Sequence, residues 1–257
     1  MDIKRSVISL RFLLITILYA FVLIAGTWDE MQYYVRWKNT LGGKGLIDIL
    51  SGMLFIDKVK VILVLLSGGL YTDSFCRDEK HHYLRAILTR TDLFRYTVSR
   101  VFSNILTVLA GSFAGFFLYG FIAWVMGIEI CSMGTVSTYY TMADRLPVLY
   151  IAMIALQFGM ISAACCSIGL LFSAYQPDTF VSIGLCGMVF FIATSFLPPG
   201  TPFDVYRMIA MMPVFPGENA PEWANWLWGM LFPAAVIMLC SCMFYRRMKW
   251  RRANGYL

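Results

Sequence analysis

The chain has 257 residues, 59% of them apolar and 14% charged, against roughly 45–50% and about 25% in soluble globular domains. This composition excludes an ordinary soluble protein, because the apolar surplus falls in runs that reach the length of about 20 residues needed to cross a bilayer core. The net charge of +6 comes with no soluble basic domain, so nucleic acid is not the expected partner.

Residues 12–28 make the first predicted span. Lys4 and Arg5 precede it as an n-region would, but the apolar run is longer than a signal-peptide h-region and "LIAGTWDE" offers a poor cleavage site, so the segment is expected to stay as a helix. The "LGGKG" at 41–45 looks briefly like a phosphate loop. Lys38 stands where the first Gly of that motif belongs and Gly45 where Ser or Thr belongs, which leaves a turn. The second span covers 55–75 and carries Asp57, Lys58 and Lys60 near its start. Asp57 and Lys60 are spaced to pair at i, i+3. The plain expectation puts them at the outer interface with snorkelling lysine stems; a functional one makes them line an outer vestibule.

The next stretch, "RDEKHHYLRAILTRTDLFRYTVSR" (77–100), is the most charged in the chain. Tyr83, Leu84, Ile87 and Leu88 fall on one helical stripe. "TRTD" then interrupts, and Thr91 or Asp92 is placed to cap a helix running into the third span. Arg85, Arg90, Arg95 and Arg100 are five apart, advance about 140° per step and so spread around the helix. Two readings follow: a solvated turn, or a short helix pair offering its stripe to a groove in a partner. His81 and His82 are adjacent, about 100° apart on a helix, and cannot chelate one metal. No metal site and no catalytic residue is predicted, since HExxH and GxSxG are also absent from the sequence.

Spans three to six, at 101–127, 147–173, 179–197 and 224–245, carry no Asp, Glu, Lys or Arg, unlike the ion-coupled carriers that place ionisable groups within the membrane. Gly111 and Gly115 in the third span, and Ala155, Gly159, Ala163 and Ser167 in the fourth, form small-residue seams suited to helix packing within the subunit or across a dimer. Cys165, Cys166, Cys186, Cys240 and Cys242 lie in spans, where cysteine acts as a small hydrophobe, and Cys131 falls in a candidate outer loop. Between spans five and six, Pro202 and Pro213 bracket a short outer helix at 203–212. Met208, Met211 and Met212 would give it an adaptable surface; the plainer alternative is a loop anchored by Trp223, Trp226 and Trp228.

The positive-inside rule orients the whole. Fourteen of the 21 basic residues fall on the side of the termini and the 77–100 segment, among them Lys4, Arg11, Lys80 and the tail from Arg246 to Arg252. Both termini are therefore expected in the cytoplasm. The fold expected is all-α: a single polytopic domain of six spans over residues 1–257, with a cytoplasmic helix after the second span and a short outer helix before the sixth.

A membrane unit with no motor of its own and a cytoplasmic elbow after the second span resembles the permease subunits of type-2 ATP-binding-cassette (ABC) exporters. The resemblance covers most of the chain and is strongest over 67–120. There "GGLYTDSFCRDEKHHYLRAILTRTDLFRYTVSR" looks like the family's span end, acidic residue, helix and Leu- and Arg-bearing approach to the third span. The Gly that the family often has near 81 or 82 is replaced by histidine. The resemblance implies a coupling helix that docks a separate ATPase through Arg77, Asp78, Glu79, His82, Tyr83 and Arg85, followed by an elbow with Arg90, Arg95 and Arg100. It also implies a second permease copy or a homologous permease, a plasma-membrane location, no cofactor in this chain, and ATP with Mg held by the partner. The chain itself would not be an enzyme. A pathway without fixed charges leans toward amphipathic or hydrophobic cargo. The alternative is a non-transporting receptor-like or scaffold subunit using the 77–100 segment to bind a cytoplasmic partner.

Overall fold

A computed structural model describes residues 9–37, 45–54, 57–81, 83–130, 145–198, 201–209 and 222–254, apart from the side chains of Asp57, Lys58, Arg85 and Glu222. Among the described residues the chain is all-α, with ten helices and no strand. Six helical segments are long and apolar enough to span a membrane: Leu10–Arg36, Val59–Lys80, Leu93–Val125, Pro147–Ser173, Thr179–Phe196 and Trp223–Ala253. The protein is thus of the multi-pass membrane class.

Helix α1 (Leu10–Trp37) continues nine residues beyond the predicted first span, with Thr27 bonding back to the Leu23 carbonyl at 2.9 Å. Helix α2 (Leu46–Met53) was not foreseen. All its residues except Gly52 are buried, and the amide of Leu46 donates to the Glu129 carbonyl at 3.0 Å, which ties it to the far end of the third span. Helix α3 (Asp57–Tyr71) gives way at Thr72 and Asp73 to two short helices, α4 (Ser74–Lys80) and α5 (Tyr83–Leu88).

Helix α6 (Leu93–Val125) starts where its cap dictates: the Asp92 carboxylate accepts from the Leu93 amide at 3.0 Å. Its 33 residues extend about 50 Å, more than a hydrocarbon core of roughly 30 Å. It ends at Gly127, whose φ of 83° is the left-handed conformation that glycine adopts without strain. Helix α7 (Pro147–Ser173) opens on proline at its first position. Helix α8 (Thr179–Phe196) is capped by Asp178, which accepts from the Phe180 amide at 2.8 Å. After α9 (Val205–Ile209), helix α10 (Glu222–Ala253) runs through Pro233 without ending.

Helix α7 is central and touches α6, α8 and α10, while α1 and α8 leave most of their length uncovered. The small-residue seams serve this packing. A side chain at Gly115 would overlap the Tyr19 ring and one at Gly111 would overlap Leu70, while Gly159 leaves 3.0 Å between an ideal Cβ and Leu109. Tyr19 then fits edge-on against Phe116 and Phe158 at 6.0 and 6.4 Å. Ala155, Ala163 and Ser167 are buried in the same core, with the Ser167 hydroxyl bonded to the Ala163 carbonyl at 2.8 Å. Cys165, Cys166, Cys186 and Cys240 are buried free thiols, Cys242 is exposed, and Cys131 lies outside the described residues.

The end of the bundle at which α3 starts differs from expectation at Lys60. Lys60 does not snorkel: it is 0% exposed, with its ammonium 4.0 Å from the centre of the Tyr206 ring. The aromatic face of the segment after α8 covers it and supplies the charge with a cation–π partner. The helix expected at 203–212 is described from Val205 to Ile209 as α9, and residues 210–212 lie outside the described residues. Met208 is buried at 1% exposure and offers no substrate surface, while Met211 and Met212 lie outside the described residues. Gln157 of α7 passes α10 at Gly229, where any Cβ would meet its amide, and donates to the Met208 carbonyl at 2.8 Å. The indole of Trp228 donates to the Pro202 carbonyl at 2.6 Å.

Candidate functional site: an elbow held by arginines

Asp73, Asp78 and Glu79 sit within seven residues at the end of the second span, and each meets an arginine from a different span. Arg11 at the start of α1 reaches Asp73 at 3.0 and 3.2 Å, and Arg77 joins the same carboxylate at 3.3 Å. Arg100 of α6 pairs with Asp78, which also accepts from the Tyr96 hydroxyl at 3.0 Å. The second terminal nitrogen of Arg100 donates to the Tyr71 hydroxyl at 2.6 Å. Arg251 of α10 grips Glu79 through both terminal nitrogens, one at 2.9 Å; such fork-to-fork pairing fixes orientation as well as charge. Phe75 packs edge-on against Phe244 at 5.7 Å beneath this pair, and Arg247 lies 4.4 Å from the Tyr175 ring and 4.2 Å from Trp250.

The pairs differ in worth because they differ in exposure. Arg100 and Asp78 side chains are 9% and 15% exposed, and Arg251 is 11% exposed against 25% for Glu79. Opening one side of so enclosed a pair strands a charge, at a cost of about 3–5 kcal/mol when burial is complete. Arg77 is 48% exposed, and its bond to Asp73 falls in the surface class of about 0–1 kcal/mol.

The predicted docking set therefore divides. Asp78 and Glu79 face inward and hold α4 to α6 and α10. Arg77, Lys80, His81 and Tyr83 are exposed, Tyr83 at 60%; His82 and the Arg85 side chain lie outside the described residues. Three of the four stripe residues turn inward: Leu84 is buried at 4%, and Ile87 and Leu88 pack against the cluster that holds Phe75, Leu93, Tyr96 and Phe244. They cover the protein's own core, so a partner would meet the opposite, polar face. Of the elbow arginines, Arg90 and Arg95 are exposed, whereas Arg100 is a buried internal ligand.

Beside the elbow, a cavity of about 320 Å³ opens between Arg11, Tyr71, Ser74, Arg77, His81 and Arg100. At the opposite end of α6 and α7 an apolar hollow of similar size is lined by Phe117, Phe121, Trp124, Val148 and Ile151. Among the described residues no group of three His, Cys, Asp or Glu side chains could hold a metal ion. Sequence reasoning missed the arginine pairing. Its signal was the three carboxylates of "DSFCRDE" placed on the side where basic residues dominate. No protein-family model matches the sequence, and no curated protein has significant similarity to it.

Proposed function

We propose that this chain is the membrane-spanning permease subunit of an ATP-driven exporter of the type-2 ABC class, docking a separate ATPase on the exposed face of α4 and α5. The observation that carries this reading is the arginine grip on α4. A short helix projecting at one end of the bundle, fixed to α1, α6 and α10 at once, would pass a push from a motor to three spans together. The charge distribution supports a cytoplasmic position for that end, and with it cytoplasmic termini in a plasma-membrane protein. ATP and Mg would be held by the partner, and a second permease copy or a homologous one would complete the pathway. The sequence resemblance over 67–120 points the same way.

The test is affinity purification from native membranes with mass spectrometry and an ATPase assay. It is run beside a variant carrying Lys80→Glu, Tyr83→Ala and Ala86→Asp, three exposed positions on the elbow. A copurifying ATPase that the variant loses is the expected result. Folded protein with a bound cytoplasmic partner but no ATPase would instead establish the receptor-like or scaffold role.

A further inference from the structure

We propose that the cavity beside the elbow is a binding site for a phosphate-bearing anion, supplied by the headgroup of an anionic membrane lipid. Three guanidiniums, of Arg11, Arg77 and Arg100, line it against the single carboxylate of Asp78. Even with Asp73 behind them, one positive charge is left over. Arg11 and Arg77 each engage Asp73 through one terminal nitrogen while staying 37% and 48% exposed. A guanidinium carries five N–H donors, so both keep donors for a phosphate oxygen, the acceptor that arginine pairs with most strongly.

Ser74 supplies a second, independent sign. It lines the cavity at 3% exposure, and its hydroxyl has no hydrogen-bond partner among the described residues. A buried hydroxyl left so is costly unless something occupies the space beside it, and a phosphate oxygen would accept from it. The depth favours a lipid over a soluble phosphate. Ser9 and Arg11 stand at the start of the first span and Tyr71 is the last residue of α3, and headgroup phosphates lie at the level of such helix ends. Leu10, Leu13 and Leu14, which flank Arg11 in the chain, are 76%, 55% and 56% exposed and offer an apolar surface to acyl chains. Basic pockets between span ends are the usual shape of such sites. The site needs only the membrane fold and would exist whether or not an ATPase docks on the elbow.

The purified full-length chain in mild detergent is titrated with dioctanoyl phosphatidylglycerol, dioctanoyl phosphatidylcholine and inorganic phosphate, with binding read by native mass spectrometry and by thermal unfolding. Phosphatidylglycerol is expected to bind in a saturable manner at least tenfold more tightly than phosphatidylcholine. Arg77→Gln should weaken it about fivefold, equivalent to the roughly 1 kcal/mol that a basic side chain contributes near an anionic surface. Ser74→Ala, which removes a hydroxyl with no partner and so leaves the fold intact, should weaken it two- to threefold. Arg246→Gln, an exposed position outside the cavity, should not. Inorganic phosphate binding as tightly as phosphatidylglycerol would keep the anion site but overturn the lipid as its source. Equal binding of the two lipids, or an equal loss in Arg246→Gln, would overturn the site itself.

Discussion

At the scale of single residues, Glu79 and Arg251 make the sharpest test of the elbow. Because Glu79 keeps a quarter of its side chain exposed, Glu79→Gln or Arg251→Met should each cost about 2–4 kcal/mol, toward the lower part of the range for stranded buried charges. Arg77→Gln should cost under about 1 kcal/mol. Unfolding in mixed micelles against added SDS checks both, and the double variant Glu79→Gln with Arg251→Met should recover part of the loss, since neither charge is then left alone. A similar cost of about 1–3 kcal/mol is expected for Gly115→Ala, because the added methyl must displace the Tyr19 ring from a packed aromatic cluster. That Gly115 serves packing was legible, since small residues four apart let helices approach closely. That Glu79 would find Arg251, 172 residues away, was not: periodicity reports which face a residue occupies, never which distant helix will lie against it.

Among the elements, the six spans could be read directly, because each is an uninterrupted apolar run or nearly so. Their ends were less readable, since helices continue past the hydrocarbon until something stops them; Asp92 was legible as the cap of α6, whereas the nine further residues of α1 were not. The short buried α2 escaped notice although Leu46, Ile47, Ile49, Leu50 and Met53 follow helical spacing; eight residues are too few to stand out beside spans three times as long. Lys60 was misplaced for a related reason. A lysine near a span end is usually solvated, and only the tertiary fold brings Tyr206 over it. The hold of α7 on α9 gives a prediction at this level. Gln157→Leu leaves the Met208 carbonyl without its donor at a cost of about 1–3 kcal/mol, and amide exchange should quicken in Val205–Ile209 while α6 is unchanged. Equal exchange in Gln157→Leu and the unaltered protein would show that the Trp228 bond and the ring contacts of Phe203 with Trp228 and Phe232 suffice to seat α9.

For the molecule as a whole, the arrangement of ends is the first question. With native cysteines replaced, Lys80→Cys and Asn254→Cys should label with a membrane-impermeant maleimide only from the cytoplasmic side, and Arg145→Cys only from the other. The reverse pattern would remove the elbow from the reach of any cytoplasmic ATPase. The overall class was evident from composition, but the face offered to a partner was not. The stripe of Tyr83, Leu84, Ile87 and Leu88 invited a docking role; Leu84, Ile87 and Leu88 join the cluster of the protein's own Phe75 and Phe244 instead, and Tyr83 alone of the four stays exposed. A stripe in a sequence says that something covers it; whether the cover is internal depends on where the last span lands.

The grip on α4 also has a history, written in the order of synthesis. Spans leave the ribosome one after another, so Arg11 is waiting when Asp73 arrives, and Arg100 follows Asp78 by only 22 residues. Glu79 must wait for Arg251 until α10 is made. A nascent chain halted before that point holds an anion without its counterion at the base of a half-seated elbow. The outward face of α4 and α5 would then take its final shape only once the sixth span is home, so recruitment of a partner would be confined to finished subunits.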